Sequence, residues 1–228
     1  MSFIVIEGLD GSGKSTQLKL LKEYLEINKI SYKYLHFPRT DNGIFGDLVA
    51  RFLRGDLGDN NEVNPYLVGL IYAGDRNDSK SDIKKWLDAG ELVIIDRYVY
   101  SNMAFQGAKL KEYDDKLKLR DWLIKLEYNY YKIPKPDISF FLDVPFSFTT
   151  NSLTNQREGD DRNYLKGKKD IHEADLSFQE NVRQEYLDLI KTDSDFKLIE
   201  CFNKDGNMLP PDNIFNKLKR EIESYNII

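Results

Sequence analysis

Apolar positions along the chain fall into two alternating patterns. Five short runs are apolar almost throughout: FIVIEG (3–8), YKYLHF (32–37), ELVIID (91–96), ISFFLDV (138–144) and FKLIEC (196–201). Between them apolar residues recur at helical spacing, as at Leu18, Leu21 and Leu25. The charged segment KSDIKKWLDAG (80–90) is also helix-like, with Gly90 placed to end it. Runs this rich in Val, Ile, Leu and Phe predict strands buried on both faces, and the helices between them predict parallel pairing. The expected fold class is α/β: three layers, with a five-stranded parallel sheet covered by helices on both faces. Ligands of such sheets sit at the carboxyl ends of the strands. The polar stretches 7–16, 38–43, 96–106 and 157–169 fall there. The most polar insertion, QREGDDRNYLKGKKD (156–170), separates the fourth strand from a helical pattern over 173–192. It reads as a solvated loop or as a mobile, cation-bearing lid at about 157–169.

Composition narrows the class. With 228 residues, 41% hydrophobic and 31% charged, the chain reads as one domain spanning 1–228. A net charge of −5 argues against a nucleic-acid partner. No run of 18 apolar residues predicts a membrane span, and the N-terminus lacks the plan of a signal peptide, so the expectation is a cytoplasmic protein. Cys201 stands alone and reads as a buried, inert thiol in a reducing compartment. Asn77-Asp78-Ser79 is a chance match to a glycosylation triplet, and Tyr128, Tyr130 and Tyr131 read as packing or subunit contact. His36 and His172 fall in no catalytic or metal-ligand spacing and read as structural or solvated.

The first strand runs into Gly8-Leu9-Asp10-Gly11-Ser12-Gly13-Lys14-Ser15, followed by Thr16, which fits G-x-x-x-x-G-K-[ST]. The glycines let backbone N–H groups turn inward, and the helix starting near Lys14 adds its positive end. Lys14 is a point charge for β- and γ-phosphates, and the Ser15 hydroxyl is a Mg²⁺ ligand. The motif predicts ATP or GTP bound with Mg²⁺. It leaves open whether the phosphoryl group goes to a second molecule, to water, or serves as a switch.

The third strand ends in Asp96-Arg97-Tyr98, an acid able to hold Mg²⁺ beside an arginine suited to bridging anionic groups. Phe37 and Arg39 lie in HFPRT (36–40), and LIYAGDR (70–76) sets Tyr72 and Arg76 one helical turn apart. SNMAFQ (101–106) adds Asn102, Phe105 and Gln106. An aromatic face, an amide for a base edge and arginines for a phosphate together describe a mononucleotide pocket.

Across nearly its whole length, from FIVIEGLDGSGKST through FPRT, LIYAGDR, DRYVYSNMAFQGA, PDISFFLDVP and DIHE, the chain resembles the thymidylate kinases. The resemblance implies phosphorylation of dTMP to dTDP with ATP and Mg²⁺, and a homodimer. It implies that the base stacks on Tyr72 while Arg76 and Asn102 reach its polar edge. It further implies that Asp10 meets the 3′-hydroxyl or helps organise Mg²⁺, that Phe105 presses on C2′, and that Arg39 and Arg97 hold the acceptor phosphate. The family takes a cation near the transferred group either from an arginine within the P-loop or from the lid. Gly11 occupies that P-loop position, which leaves Arg157 and Arg162, with Lys166, Lys168 and Lys169 behind them. The family's arginines after the LDVP strand are replaced by FSFTTNSLTNQ. A deoxynucleoside kinase, another nucleoside monophosphate kinase and a P-loop switch are the rival readings.

Overall fold

The computed structural model describes residues 2–154, 160–168 and 170–228, apart from the side chains at 160–162. Five strands form one parallel sheet in the order β2-β3-β1-β4-β5: β1 (Ser2–Gly8), β2 (Tyr32–His36), β3 (Leu92–Asp96), β4 (Ile138–Asp143) and β5 (Phe196–Glu200). All five expected strands are present. The central ones are buried along nearly their whole length, and β2, at an edge, is half-buried and mixes Tyr and Leu with Lys and His.

Alternation along each strand assigns its side chains to one of two cores. Phe3, Val5, Val93, Ile95 and Phe141 pack against α5 (Val99–Gly107), α6 (Tyr113–Ile124) and α8 (Leu176–Ile190) through Met103, Leu119, Leu123, Val182 and Tyr186. Ile4, Ile6, Ile94, Phe140 and Leu142 face α1 (Lys14–Ile27) and α9 (Pro211–Ser224) through Leu18, Leu21, Leu25, Ile214 and Leu218. A smaller cluster joins α2 (Gly43–Leu53) to α3 (Pro65–Asp78) through Val49, Phe52 and Val68. Helix α4 (Lys80–Asp88) ends where expected, with Gly90 at φ 77° just past it. Helix α7 (Phe146–Thr154) follows β4. Cys201 is buried, and burial pushes its thiol up to about 12. Asn77 lies inside α3. Among the described residues no helix is long and apolar enough to cross a membrane.

Two segments depart from the sequence pattern. The helix expected over 173–192 starts only at Leu176, after Asp175 caps it by accepting the Phe178 N–H at 3.0 Å. Residues 170–173 instead turn toward the cleft described below. Helix α6 also does not stop at Ile124 but continues as a π-helical segment, Lys125–Tyr130. The topology reverses at β1, with β3 and β2 on one side and β4 and β5 on the other. The carboxyl ends of β1 and β3 therefore open the crevice where a ligand fits.

Candidate active site

A continuous cleft of about 820 Å³ runs from residues 10–16 to Tyr72 and Arg76. At its donor end Gly11 and Gly13 adopt left-handed backbone, φ 77° and 80°, and turn the chain into α1. Lys14 Nζ folds back on the loop and donates to the carbonyls of Gly8 (3.3 Å) and Leu9 (3.1 Å). Burial and the nearby Arg97 lower this amine to about 8. Gly8 and Leu9 thus contribute carbonyls to Lys14 and do not line the cleft, whereas Asp10 through Thr16 do. The Ser15 side chain is exposed at the first turn of α1.

Asp96 is buried at the end of β3, its Oδ2 3.1 Å from His36 Nδ1. Its Oδ1 has no hydrogen-bond partner among the described residues. Burial alone would raise this carboxyl, but His36 and Lys14 hold it below its usual range. An unpartnered carboxylate oxygen and the Ser15 hydroxyl, on residues lining the same cleft, fit a cation that takes few protein ligands and completes its shell with phosphate and water, as Mg²⁺ does. Among the described residues no three His, Cys, Asp or Glu side chains converge as a metal site.

Arg97 sits at φ 65° and joins the two halves of the cleft. It donates from Nη2 to Asp10 at 2.7 Å and from Nη1 to the Ser101 hydroxyl at 3.3 Å, and it lies 5.1 Å over the Phe105 ring. Although burial works to raise Asp10, Arg97 and Lys14 hold it down to about 2. Beneath this turn lies Glu7, a fully buried carboxylate inside β1. It accepts the backbone N–H groups of Tyr98 (2.9 Å) and Ser101 (3.2 Å), the Tyr186 hydroxyl (3.0 Å) and the Ser101 hydroxyl.

Arg39 is gripped by Asp75, which accepts its Nε through Oδ1 (2.9 Å), its backbone N–H through Oδ2 (2.9 Å) and its Nη2 through the main-chain carbonyl (2.9 Å). Gly46 lets α2 approach this loop, since a Cβ there would stand 2.2 Å from the Arg39 carbonyl. At the far end Tyr72 and Arg76 line the cleft from one face of α3, as their spacing predicts. Arg76 is bound by Glu127 from the π-helical segment, Nε to Oε2 at 2.5 Å and Nη2 to Oε1 at 2.8 Å. Asn102, Phe105 and Gln106 project from α5, Phe37 closes the wall beside them, and the Gln106 side chain is buried.

The family model described as Thymidylate kinase matches residues 6–205. A probable thymidylate kinase of Thermococcus kodakarensis is 34% identical over 204 residues, covering 87% of this chain and 89% of its own. The thymidylate kinase of Plasmodium falciparum is 36% identical over 149 residues, which span 65% of this chain and 64% of its own. A solved thymidylate kinase from Candida albicans superposes with a TM-score of 0.74 at 25% identity, over 99% of this chain and 93% of that one. The chain belongs to the thymidylate kinase family.

In this thymidylate kinase family member the sequence pattern brought out the residues that face the cleft and missed those that hold them. Glu7, Asp75, Glu127 and Gln179 are all buried; the last three bind the expected residues Arg39, Arg76 and Asp10, and Glu7 binds the N–H of Tyr98, next to Arg97. A glutamate inside an otherwise apolar strand was the available signal for Glu7, and Asp75 lay within LIYAGDR. Gln179 donates to Asp10 Oδ2 and to the His172 carbonyl, both at 3.0 Å. His172 is not solvated: it is buried, lines the cleft, and packs its ring 5.0 Å from Phe105. Lys168 reaches Asp56 at 2.7 Å, past the end of α2. Arg157, Lys169 and the Arg162 side chain lie outside the described residues.

Two buried cleft residues titrate in opposite senses. Burial, together with the charge of Asp10, raises Asp170 to about 7, and burial, with Lys109, lowers His172 to about 3. In the unfolded chain these groups titrate near ~3.9 and ~6.5. The Asp170 contribution to stability is therefore lost as pH rises through about 7. That of His172 is lost as pH falls from its unfolded value toward about 3. Between about pH 4 and 6.5 the two slopes oppose, each at most about 1.4 kcal/mol per pH unit. Relative to wild type, Asp170→Asn is expected to lose stability as pH is lowered across this window, and His172→Gln to gain it. Denaturant melts at half-unit pH steps read the slopes; parallel profiles for all three proteins would contradict the assignment.

Proposed function

We infer that this chain transfers the γ-phosphoryl group of ATP to dTMP, giving dTDP, with Mg²⁺ as cofactor. The observation that carries the reading is the single cleft joining the phosphate loop to a pocket furnished with Tyr72, Arg76, Asn102, Arg39 and Arg97. Backbone N–H groups of the loop between Asp10 and Thr16 and the Lys14 amine hold the donor phosphates. Lys14 leaves the carbonyls of Gly8 and Leu9 as the polyphosphate arrives, and the added negative charge keeps it protonated. Ser15 and Asp96 would hold Mg²⁺, which would shield the negative charge of the donor phosphates. The thymine stacks on Tyr72 and meets Arg76 and Asn102, with Phe37 and Gln106 closing the pocket. Phe105 faces the sugar C2′ and disfavours ribonucleotides. Arg39 and Arg97 bind the acceptor phosphate, and Asp10 accepts from the 3′-hydroxyl.

The acceptor chemistry agrees. A phosphate monoester is mostly dianionic above its second pKa of ~6, so it attacks without a general base, given shielding and in-line placement. Asp10, held at about 2, and His172, at about 3, are too weakly basic to deprotonate a sugar hydroxyl. The observation on the side of a deoxynucleoside kinase is Asp170, a cleft carboxyl raised to about 7. Its oxygens, however, are already engaged by the Tyr164 hydroxyl (2.7 Å) and the His172 N–H (2.8 Å). The lone buried Cys201 suits a reducing, cytoplasmic setting. For a homodimer the support is an apolar strip on α3 and α6, where Leu67, Leu70, Leu117 and Ile124 are exposed.

Three measurements test the reading. With ATP fixed, dTMP is expected to exceed thymidine as acceptor by at least ~1,000-fold in kcat/KM, as in sites built around a polar group. Turnover of thymidine alone would indicate a deoxynucleoside kinase, and ATP consumption indifferent to dTMP a switch. Gly11 leaves the transition-state cation to the lid, so Arg157→Ala or Arg162→Ala should lower kcat by roughly 100-fold or more with a smaller effect on dTMP KM. Normal turnover in both variants and in the double variant would refute the lid's role. Sedimentation should give twice the chain mass for wild type and a monomer for Leu67→Glu; a monomeric wild type rules the dimer out.

A further inference from the structure

Bound to Arg76 and Asn102, which line the cleft, is a carboxylate that the acceptor reading does not use. Glu127 is fully buried, and its two oxygens take three hydrogen bonds: two from Arg76 and one, at 3.0 Å, from Asn102 Nδ2. We propose that Glu127 is a positioning residue for the acceptor base. By fixing which atoms Arg76 and Asn102 present, it selects a pyrimidine-2,4-dione over a 4-aminopyrimidin-2-one. The proposal rests on the reading of this pocket as the dTMP site.

The argument turns on the Asn102 amide. An asparagine presents either an acceptor or a donor, and its hydrogen-bond network decides which. Here one end of the amide meets two acceptors, the Gly69 carbonyl at 3.0 Å and the Glu127 carboxylate at 3.0 Å. Neither has a hydrogen to give, so that end is the NH₂ group. The other end is therefore Oδ1, which has no hydrogen-bond partner among the described residues, on a residue that lines the cleft. Glu127 also takes the Nε–Nη2 edge of Arg76, so the guanidinium cannot rotate and Nη1 lies on the opposite side. The pair then offers one acceptor and one donor. Thymine and uracil present the complement, an N3–H donor beside a C4 carbonyl, whereas cytosine reverses both and would face two like groups. Burial opposes a charge on Arg76, but Glu127 holds it above its ordinary value, so the donor stays a cation.

The backbone is shaped to deliver this carboxylate. The Tyr131 N–H bonds to the Leu126 carbonyl at 2.8 Å, five residues back, and the extra residue of the π turn shifts the helix phase around Glu127. Such a turn gives up regular α-helical bonding, and here it lies under the cleft's recognition groups.

The test compares wild type, Glu127→Gln and Glu127→Asp for kcat and KM with dTMP, dCMP and ATP. A glutamine at 127 can donate to Asn102 and let the amide turn over. The dTMP:dCMP ratio of kcat/KM is then expected to fall at least ~10-fold, the effect of one misplaced hydrogen bond, while ATP KM stays within about twofold. Glu127→Asp keeps the charge opposite Arg76 and is expected to lie between. If the glutamine variant does not fold, the aspartate variant decides alone. An unchanged ratio in the variants, or a rise in ATP KM matching that of dTMP, overturns the proposal. A wild type that phosphorylates no pyrimidine-dione monophosphate overturns the acceptor reading itself, and with it this role. A wild type that prefers dTMP while both variants keep its ratio overturns only Glu127.

Discussion

The guanidinium of Arg97 and the carboxylate of Asp10, 2.7 Å apart, join segments 87 residues apart in sequence. Moving phosphate between two anions requires cations in a dry cleft, and a buried guanidinium is tolerated only with a fixed counter-charge. Asp10 supplies that charge from the phosphate loop, so donor loop and acceptor cation are held in register by one ion pair. The pair needs its own support. Arg97 sits in left-handed backbone at φ 65°, a conformation unfavourable for a side chain of its size. Glu7 stabilises it by accepting the next available N–H groups, those of Tyr98 and Ser101. A carboxylate near the end of a hydrophobic strand thus follows from the need to hold one arginine in the cleft.

The same arrangement recurs twice. Asp75 grips Arg39, and Glu127 grips Arg76. Glu127 takes the Nε–Nη2 edge of Arg76 with both its oxygens, whereas Asp75 holds the same edge of Arg39 with one carboxylate oxygen and its main-chain carbonyl, and each guanidinium plane is left oriented. The geometry is set when the chain folds, so little reorganisation remains when substrate arrives. The pairing also keeps the interior near neutrality, which is why three arginines coexist in one cleft without forcing it open.

What was legible in the sequence follows from this division of labour. Residues facing the cleft fall within recognisable runs, at or after strand ends or on α3, so Lys14, Asp96, Arg97, Tyr72, Arg76 and Asn102 stood out and share the cleft. The strands were legible because apolar runs bounded by Gly and Pro have few other fates. Residues that hold the ligand-facing groups come from anywhere in the chain. Glu127 is 51 residues from Arg76 and lies on a π turn that helical spacing does not anticipate. Gln179 reaches Asp10 across 169 residues. His172 illustrates the same limit: nothing in its neighbours distinguishes a solvated imidazole from one wedged between Phe52 and Phe105.

The donor end shows how the backbone confines the choice of catalytic cation. Gly11 lies at φ 77°, where an L side chain costs roughly 1–2 kcal/mol. In this chain the turn that bends the loop around phosphate therefore disfavours a long side chain at the position next to Asp10. Asp10 cannot substitute for a cation, and on the proposed reading Lys14 is assigned to the donor phosphates. Arg97 is bound to Asp10 and Ser101 on the acceptor side. Charge developing between the two phosphates must then be met from outside the loop. On the proposed reading, Arg157 and Arg162, which follow α7 in the sequence, are the residues assigned to meet it.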